Sequence, residues 1–309
     1  MIGTPLDMRL YLYLFLSIFL SCGCEERNIV VSPGKVKYKF AVAGHAYGSH
    51  HENNPALYQK FLDLFKPQAM DYSFIVFAGD QIRDADRENA DILISQLDQL
   101  GVPYFLTRGN HDGGDYLYEK FKEKYGGTFY SSIKENEKII VLDCIEDNGD
   151  ITDDQLSFFK QEIETLGKSV KNVFIVVHEL IWTVENDKFK DVKHNKGVYE
   201  RGKFWARIYP LLSSANKKIN FYIVAGDVGG GRDRISAYYE KLGNITLLAT
   251  GMGETVDENF MEVFITVDGK AVFNLVPLNS WAGRVLRAIA RVTELSSFAR
   301  VNLKNIEEY

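Results

Sequence analysis

The sequence predicts an α/β fold in which strands and helices alternate along 309 residues. Two observations carry this. Short runs of β-branched and aromatic residues recur between stretches whose apolar positions follow helical spacing. Four of those runs end on polar words: Gly79-Asp80, Gly109-Asn110-His111-Asp112, Val177-His178 and Gly226-Asp227. Ligands of open α/β sheets bind outside the carboxyl ends of strands, so the second observation marks a site as well as a fold. A composition of 46% hydrophobic and 25% charged residues is that of a globular chain. The net charge of -6 argues against a general nucleic-acid binder, and no nucleic-acid partner is expected.

Residues 1–22 read as an export signal. Arg9 precedes the apolar run Leu10 to Leu20, which is short for a membrane span, and small residues follow. Phe19-Leu20-Ser21-Cys22 resembles a bacterial lipoprotein cleavage box with Cys22 as the lipidated residue. The expectation is an exported chain, periplasmic or at the cell surface, anchored to a membrane by an N-terminal lipid. Residues 23–35 read as a linker, and residues 36–280 as the folded domain.

Val36 to Ala43 opens that domain as a strand. Pro55 to Phe65 has helical spacing, with Leu57, Phe61, Leu64 and Phe65 on one face. The strand Tyr72 to Phe77 follows, then a helix near Glu88 to Leu100 that stops at Gly101. Next come the Tyr104 to Leu106 strand and a helix near Tyr116 to Tyr125. Phe129 to Ile133 and Lys138 to Leu142 read as a hairpin. Thr152 and Gln155 form a capping box for the next helix. The Val173 strand, a helix near Phe204 to Leu212 and the Phe221 strand continue the alternation. Thr246 to Ala249, Met261 to Val267 and Ala271 to Val276 read as consecutive strands. Cys144 reads as a buried free thiol. Residues 281–309 form a basic amphipathic tail, with Trp281, Val285, Ile289 and Val292 on one face and Arg284, Arg287 and Arg291 on another. It either packs on the domain or rests on a membrane surface.

Carboxylate, amide and imidazole at the strand ends are donors for a divalent metal. In their order and spacing, Gly79-Asp80, Gly109-Asn110-His111-Asp112 and His178 resemble the calcineurin-like metallophosphoesterase family. The run Ile139 to Asp143 followed by Thr152 to Leu156 is similar to that family's stretch between its third and fourth motifs. The resemblance covers Lys37 to Val276. It implies a sandwich of two mixed β-sheets flanked by helices, αββα in layers, with a metal site at the strand ends. It implies that Asp80 bridges two metals, that Asn110 and His178 bind the second of them, and that His111 contacts phosphate and protonates the leaving group.

Two motifs depart from the family. Its opening Asp-x-His is Ala43-Gly44-His45 here, and its closing Gly-His-x-His is Gly226-Asp227-Val228-Gly229. The first metal position therefore keeps only His45 and Asp80. The second keeps Asp80, Asn110 and His178 and gains Asp227. The expectation is one ion held by Asp80, Asn110, His178 and Asp227. The extra carboxylate favours manganese, magnesium or iron over zinc. His45 is expected to hydrogen-bond phosphate rather than bind metal.

A neutral site needs further cations to attract phosphate. Arg83, Arg108, Arg232 and Arg234 are candidates, the last two after Gly229-Gly230-Gly231. Tyr47 is a candidate substrate contact, and His50 or His51 could reach the depleted metal position. Glu179 reads as orienting a ligand or forming a salt bridge, and His194, among lysines, as a surface residue. The resemblance then implies hydrolysis of a phosphomonoester or phosphodiester at the cell envelope, in a small molecule or an envelope component. Metal-bound hydroxide would be the nucleophile and His111 the general acid. The alternative is a degenerate member that binds a phosphorylated ligand without turnover. Ala43 and Gly229 favour the alternative, and His111 beside Asn110 favours the enzyme.

Overall fold

The alternation becomes two mixed sheets in a computed structural model that describes residues 35–195 and 202–279. The signal of residues 1–22, the linker up to residue 34 and the tail of residues 281–309 lie outside the described residues. The strands are β1 Val36–Ala43, β2 Ile75–Ala78, β3 Tyr104–Thr107, β4 Tyr130–Lys134, β5 Glu137–Val141 and β6 Asn172–Val176. They continue with β7 Asn220–Ala225, β8 Ala237–Leu242, β9 Ile245–Thr250, β10 Asn259–Thr266 and β11 Ala271–Pro277. One sheet has five strands in the order β11-β10-β1-β2-β3, and the other six in the order β4-β5-β6-β7-β9-β8.

The helices are α1 Gln59–Phe65, α2 Arg87–Gln99, α3 Asp115–Tyr125, α4 Asp153–Glu164 and α5 Tyr209–Ser214. Side chains of α1 to α3 pack on the five-stranded sheet through Phe61, Phe65, Leu93, Leu97 and Phe121. Phe159 of α4 and Leu212 of α5 cover the six-stranded sheet. Between the sheets lie Phe40, Phe74, Val76, Phe174, Val176 and Val224. There Phe40 stacks on Phe74 at 4.4 Å and meets Phe174 edge-on at 5.1 Å. The layers are thus helix, sheet, sheet, helix. The central parallel strands β2 and β6 are buried on both faces, which is why they read as unbroken apolar runs.

Parallel pairing aligns the strand ends. Ala43 pairs with Phe77, Ala78 with Thr107, and Val176 with Val224. The loops after β1, β2, β3, β6 and β7 therefore emerge along one edge, where the two sheets touch. Gly79 is one of the points with no room for a side chain. Its φ is +86°, and a Cβ there would stand 2.2 Å from His178 Nδ1. Gly79→Ala should cost about 2–4 kcal/mol in urea unfolding. Gly243→Ala is the control: φ is +69° but nothing lies within 4 Å of its Cβ, so it should cost about 1–2 kcal/mol. Equal losses would remove the steric argument.

Several elements differ from the sequence reading. α1 starts at Gln59 rather than Pro55, because Tyr58 N–H is drawn away to Ala46 O at 2.8 Å. The Phe204 helix begins as a π-helical turn, Phe204–Ile208, before α5. Only half of the capping box forms. Thr152 Oγ1 accepts from Gln155 N at 3.3 Å, but the Gln155 amide turns inward to the backbone of Asp143, at 2.8 Å on both its oxygen and its nitrogen. β8 is an additional edge strand. Cys144 is buried and free. No helix among the described residues is long and apolar enough to cross a membrane.

Candidate metal centre

Two of the site residues sit in strained backbone. His45 has φ 45° and Asp80 φ 56°, a region that side-chain-bearing residues occupy at a cost of order 1–3 kcal/mol. Such outliers persist only when their surroundings fix them. At Asp80 the fixing group is Asp112, fully buried. Its Oδ2 accepts from Asp80 N at 2.8 Å and Gly109 N at 2.8 Å, and its Oδ1 from Gln81 N at 3.0 Å and Ile82 N at 3.2 Å. Burial and the neighbouring Asp80 charge push the Asp112 carboxyl up to about 7, against N–H donors that pull it down. Every contact on its oxygens is a donor, so the geometry is that of a carboxylate. Asp112 has no role among the sequence expectations. Its position as last letter of the Gly-Asn-His-Asp word was the available signal.

The structure brings Asp80, Asn110, His178 and Asp227 together. His178 Nε2 lies 3.0 Å from Asn110 Oδ1, 3.4 Å from Asp80 Oδ2 and 3.7 Å from Asp227 Oδ1. Asp80, His178 and Asp227 form a buried group with donor atoms spaced for one ion, and Asn110 stands at the solvent side. His178 Nδ1 donates to Ala78 O at 3.0 Å, so in the neutral ring Nε2 is a bare lone pair facing an amide oxygen and two carboxylates. Burial would lower His178, yet Asp80, Asp227 and Glu179 hold it well above its usual value. Burial would likewise raise Asp80, but His178, His45 and His111 hold it down. Lone pairs converging on one point call for a positive charge there. A divalent cation supplies it and competes with the proton, so these residues fit the ion that the donor chemistry implies.

His45 belongs to the same edge. Its Nδ1 donates to Met252 O at 2.9 Å, and its Nε2 stands 3.8 Å from Asp80 Oδ2. Burial lowers its pKa, with Asp80 and Asp227 opposing, so it presents a neutral imidazole. Gly229, in place of a histidine, has φ +89° and packs on Gly251.

The open side carries the other polar groups. His111 N donates to Asp80 Oδ1 at 3.1 Å, and its Nδ1 donates to Arg83 O at 2.7 Å. That leaves His111 Nε2 facing outward, 3.4 Å from the Tyr47 hydroxyl. Tyr47 OH also meets His50 Nε2 at 2.9 Å. Burial, then the Asp80 and Asp227 charges, push the Tyr47 phenol far up, so it is a neutral hydroxyl. The Arg83 guanidinium turns to Asp84 Oδ2 at 2.9 Å. Arg232 is exposed, near enough to act on Glu254. His51 is exposed, near Glu254.

Two expectations need correction. Arg108 is committed elsewhere: its Nη1 donates to fully buried Asp143 at 2.9 Å. Breaking that pair would strand a buried charge, so its guanidinium serves the fold. His194 is not a free surface residue but a half-buried one, with Nδ1 3.9 Å from Asp227 Oδ2. It gets there because Asn195 N donates to Asp227 O at 3.0 Å, a contact that local sequence does not reveal.

Comparison with known proteins places this geometry. The model of the calcineurin-like phosphoesterase family matches residues 45–216, more than half of the chain. No curated protein matches. Among solved structures, a purple acid phosphatase from yellow lupin (Lupinus luteus) seeds is 12% identical with a TM-score of 0.53. The alignment covers 80% of this chain and 52% of that one, so the chain spans about half the length of the lupin enzyme. An uncharacterised protein of Streptococcus pneumoniae, described as a predicted phosphoesterase, is 10% identical (TM-score 0.31, covering 78% and 97%). Vacuolar Protein Sorting 29 from Cryptosporidium parvum is 9% identical (TM-score 0.36, covering 77% and 96%). The family match, on a two-sheet sandwich with the metal-binding words at its strand ends, shows that this chain belongs to the calcineurin-like phosphoesterases, a family of phosphate-ester hydrolases.

Proposed function

We propose that this chain hydrolyses a phosphomonoester or phosphodiester with one catalytic divalent cation held by Asp80, Asn110, His178 and Asp227. The observation that carries the reading is the setting of His111. Its Nδ1 proton is fixed on Arg83 O, and its backbone N–H is fixed on Asp80. Nε2 is thereby held at the open rim beside the cluster, where a leaving oxygen would need a proton. When bound, the cation would polarise a phosphoryl oxygen and acidify a water. The chain's own residues do the rest. Buried Asp80 and Asp227 hold charge at the floor, His111 delivers the proton, and the neutral Tyr47 hydroxyl orients His111 Nε2 or donates to a phosphate oxygen. His45 and Arg83 would be further phosphate contacts, and exposed Arg232 would add attraction at longer range. Two carboxylates and an amide among four ligands favour manganese, magnesium or iron over zinc. Action at the cell envelope, on a phosphorylated small molecule or an envelope phosphoester, rests on the N-terminal signal and lipid-anchor reading.

A chromogenic phosphomonoester and a phosphodiester, each with Mn2+, Mg2+, Fe2+ or Zn2+, test this. Metal-dependent turnover is expected on at least one ester. His111→Ala should lower kcat by about 10²–10⁴-fold with cation binding unchanged. Absence of turnover with every metal, while a phosphorylated ligand still binds, would replace this reading with the binding-only one.

A further inference from the structure

Asp227 has two faces. Its Oδ1 looks toward His178 at 3.7 Å. Its Oδ2 looks the other way, 3.9 Å from His194 Nδ1, and is buried with no hydrogen-bond partner. Glu179 is 4% exposed, and its Oε1 is likewise buried and unpartnered. Donor atoms of Glu179, His194 and Asp227 all lie within 4.8 Å of one another. An unpaired buried carboxylate oxygen is costly, and here two converge.

His194 is held at both ring nitrogens. Thr183 Oγ1 gives its one proton to Leu180 O at 2.8 Å. Toward His194 Nε2, at 3.4 Å, that hydroxyl can then only accept. Nδ1 donates to Asn195 O at 2.9 Å and turns that same N–H edge toward Asp227 Oδ2 at 3.9 Å, so an ion would take Nδ1 by displacing that proton. The segment is held in place independently, since Gly230 N donates to Asn195 Oδ1 at 2.7 Å. Charge points the same way. Asp80, Asp227 and Glu179 are three buried carboxylates. Among the described residues, histidines are the only basic groups within ion-pair distance of Asp80 and Asp227, and Glu179 has none. Burial and the Asp227 charge push the Glu179 carboxyl well up, so an ion at that edge would replace a proton held there.

We propose that Glu179, His194 and Asp227 form a second divalent-cation site, on the far side of Asp227 from Asp80, with the Asp227 carboxylate bridging the two ions. It goes beyond the proposed catalytic site and shares only Asp227 with it. The second ion is not at the depleted position beside His45. Its ligands would be Glu179, His194 and Asp227 rather than His45. Oxygen donors with one imidazole suit Mn2+ or Mg2+. His194, 20% exposed in its side chain, gives the ion a route from solvent.

The test is titration of the full chain, stripped by chelator and dialysed, with Mn2+ alone, followed by calorimetry and electron paramagnetic resonance. The wild type should take up two Mn2+ per chain and show a spin-coupled spectrum. Glu179→Gln, which keeps shape, and His194→Asn should each take up one, with an uncoupled six-line spectrum. Asp80→Asn should also take up one, at the Glu179 site. Circular dichroism checks the fold, and either of the first two variants suffices if the other fails to fold. A single Mn2+ in the wild type, lost in Asp80→Asn but not in Glu179→Gln, overturns the second site: a shared proton then serves Glu179 and Asp227. Two Mn2+ in Glu179→Gln and in His194→Asn also overturns it. No bound Mn2+ in the wild type overturns the proposed function as well.

Discussion

Asp112→Ala should destabilise the protein by about 3–5 kcal/mol in urea unfolding and remove hydrolysis, although Asp112 touches neither metal nor substrate in the proposed mechanism. Its two oxygens accept four backbone N–H groups, from Asp80, Gln81, Ile82 and Gly109. Each buried donor left without a partner costs about 1–3 kcal/mol. Water entering the space left by the side chain would recover part of that, which sets the lower total. The activity loss follows from backbone geometry. The left-handed conformation of Asp80, at φ 56°, is held by the same contacts. Without them the β2 loop can relax and carry the Asp80 carboxylate away from His178. Asp112→Asn should lose less, because its amide oxygen still accepts while its NH2 faces N–H groups on the other side. An Asp112→Ala protein within about 1 kcal/mol of wild type would show that the loop holds itself.

Much of this arrangement was legible because strand ends are local. Apolar runs of β-branched and aromatic residues announced β2, β3, β6 and β7, and the polar word after each named the chemistry. Long-range partners were not legible. Asp143 captures Arg108 from 35 positions away, so an arginine beside Asn110 reads as a phosphate contact until the ion pair is seen. His194 sits among lysines and reads as surface. Contacts of Lys193 with Ile235 and of Asn195 with Asp227 and Gly230 draw it beside Asp227. β8 was missed because an edge strand is partly exposed and keeps polar residues such as Glu240 and Lys241, which erases the apolar run. The start of α1 shifted because a loop carbonyl, Ala46 O, competes for Tyr58 N–H. Apart from β8, these misses share one cause: a partner elsewhere in the chain outweighed the local pattern.

Asp80→Asn should separate the chemistry from the fold. Asparagine matches aspartate in shape and tolerates the left-handed region, so the strain at φ 56° is unchanged. The contact from His111 N to Oδ1, at 3.1 Å, can persist on an amide oxygen. What disappears is the charge nearest His178 and His45, at 3.4 and 3.8 Å. In chelator the variant should therefore melt close to wild type or above it, because one of three mutually repelling buried carboxylates is gone. The cation, however, loses its most buried anionic ligand. A ligand stabilises only in proportion to its binding to the native state, so the rise in Tm produced by Mn2+ should shrink relative to wild type. Turnover should fall by about 10³-fold or more, since several kcal/mol of transition-state charge stabilisation goes with the ion and each 1.36 kcal/mol is tenfold. Melting with and without Mn2+, beside ester hydrolysis, reads both effects on one preparation. An unchanged Mn2+ response together with unchanged turnover would mean that Asp80 serves the strained loop alone and that the catalytic cation, if any, is held elsewhere.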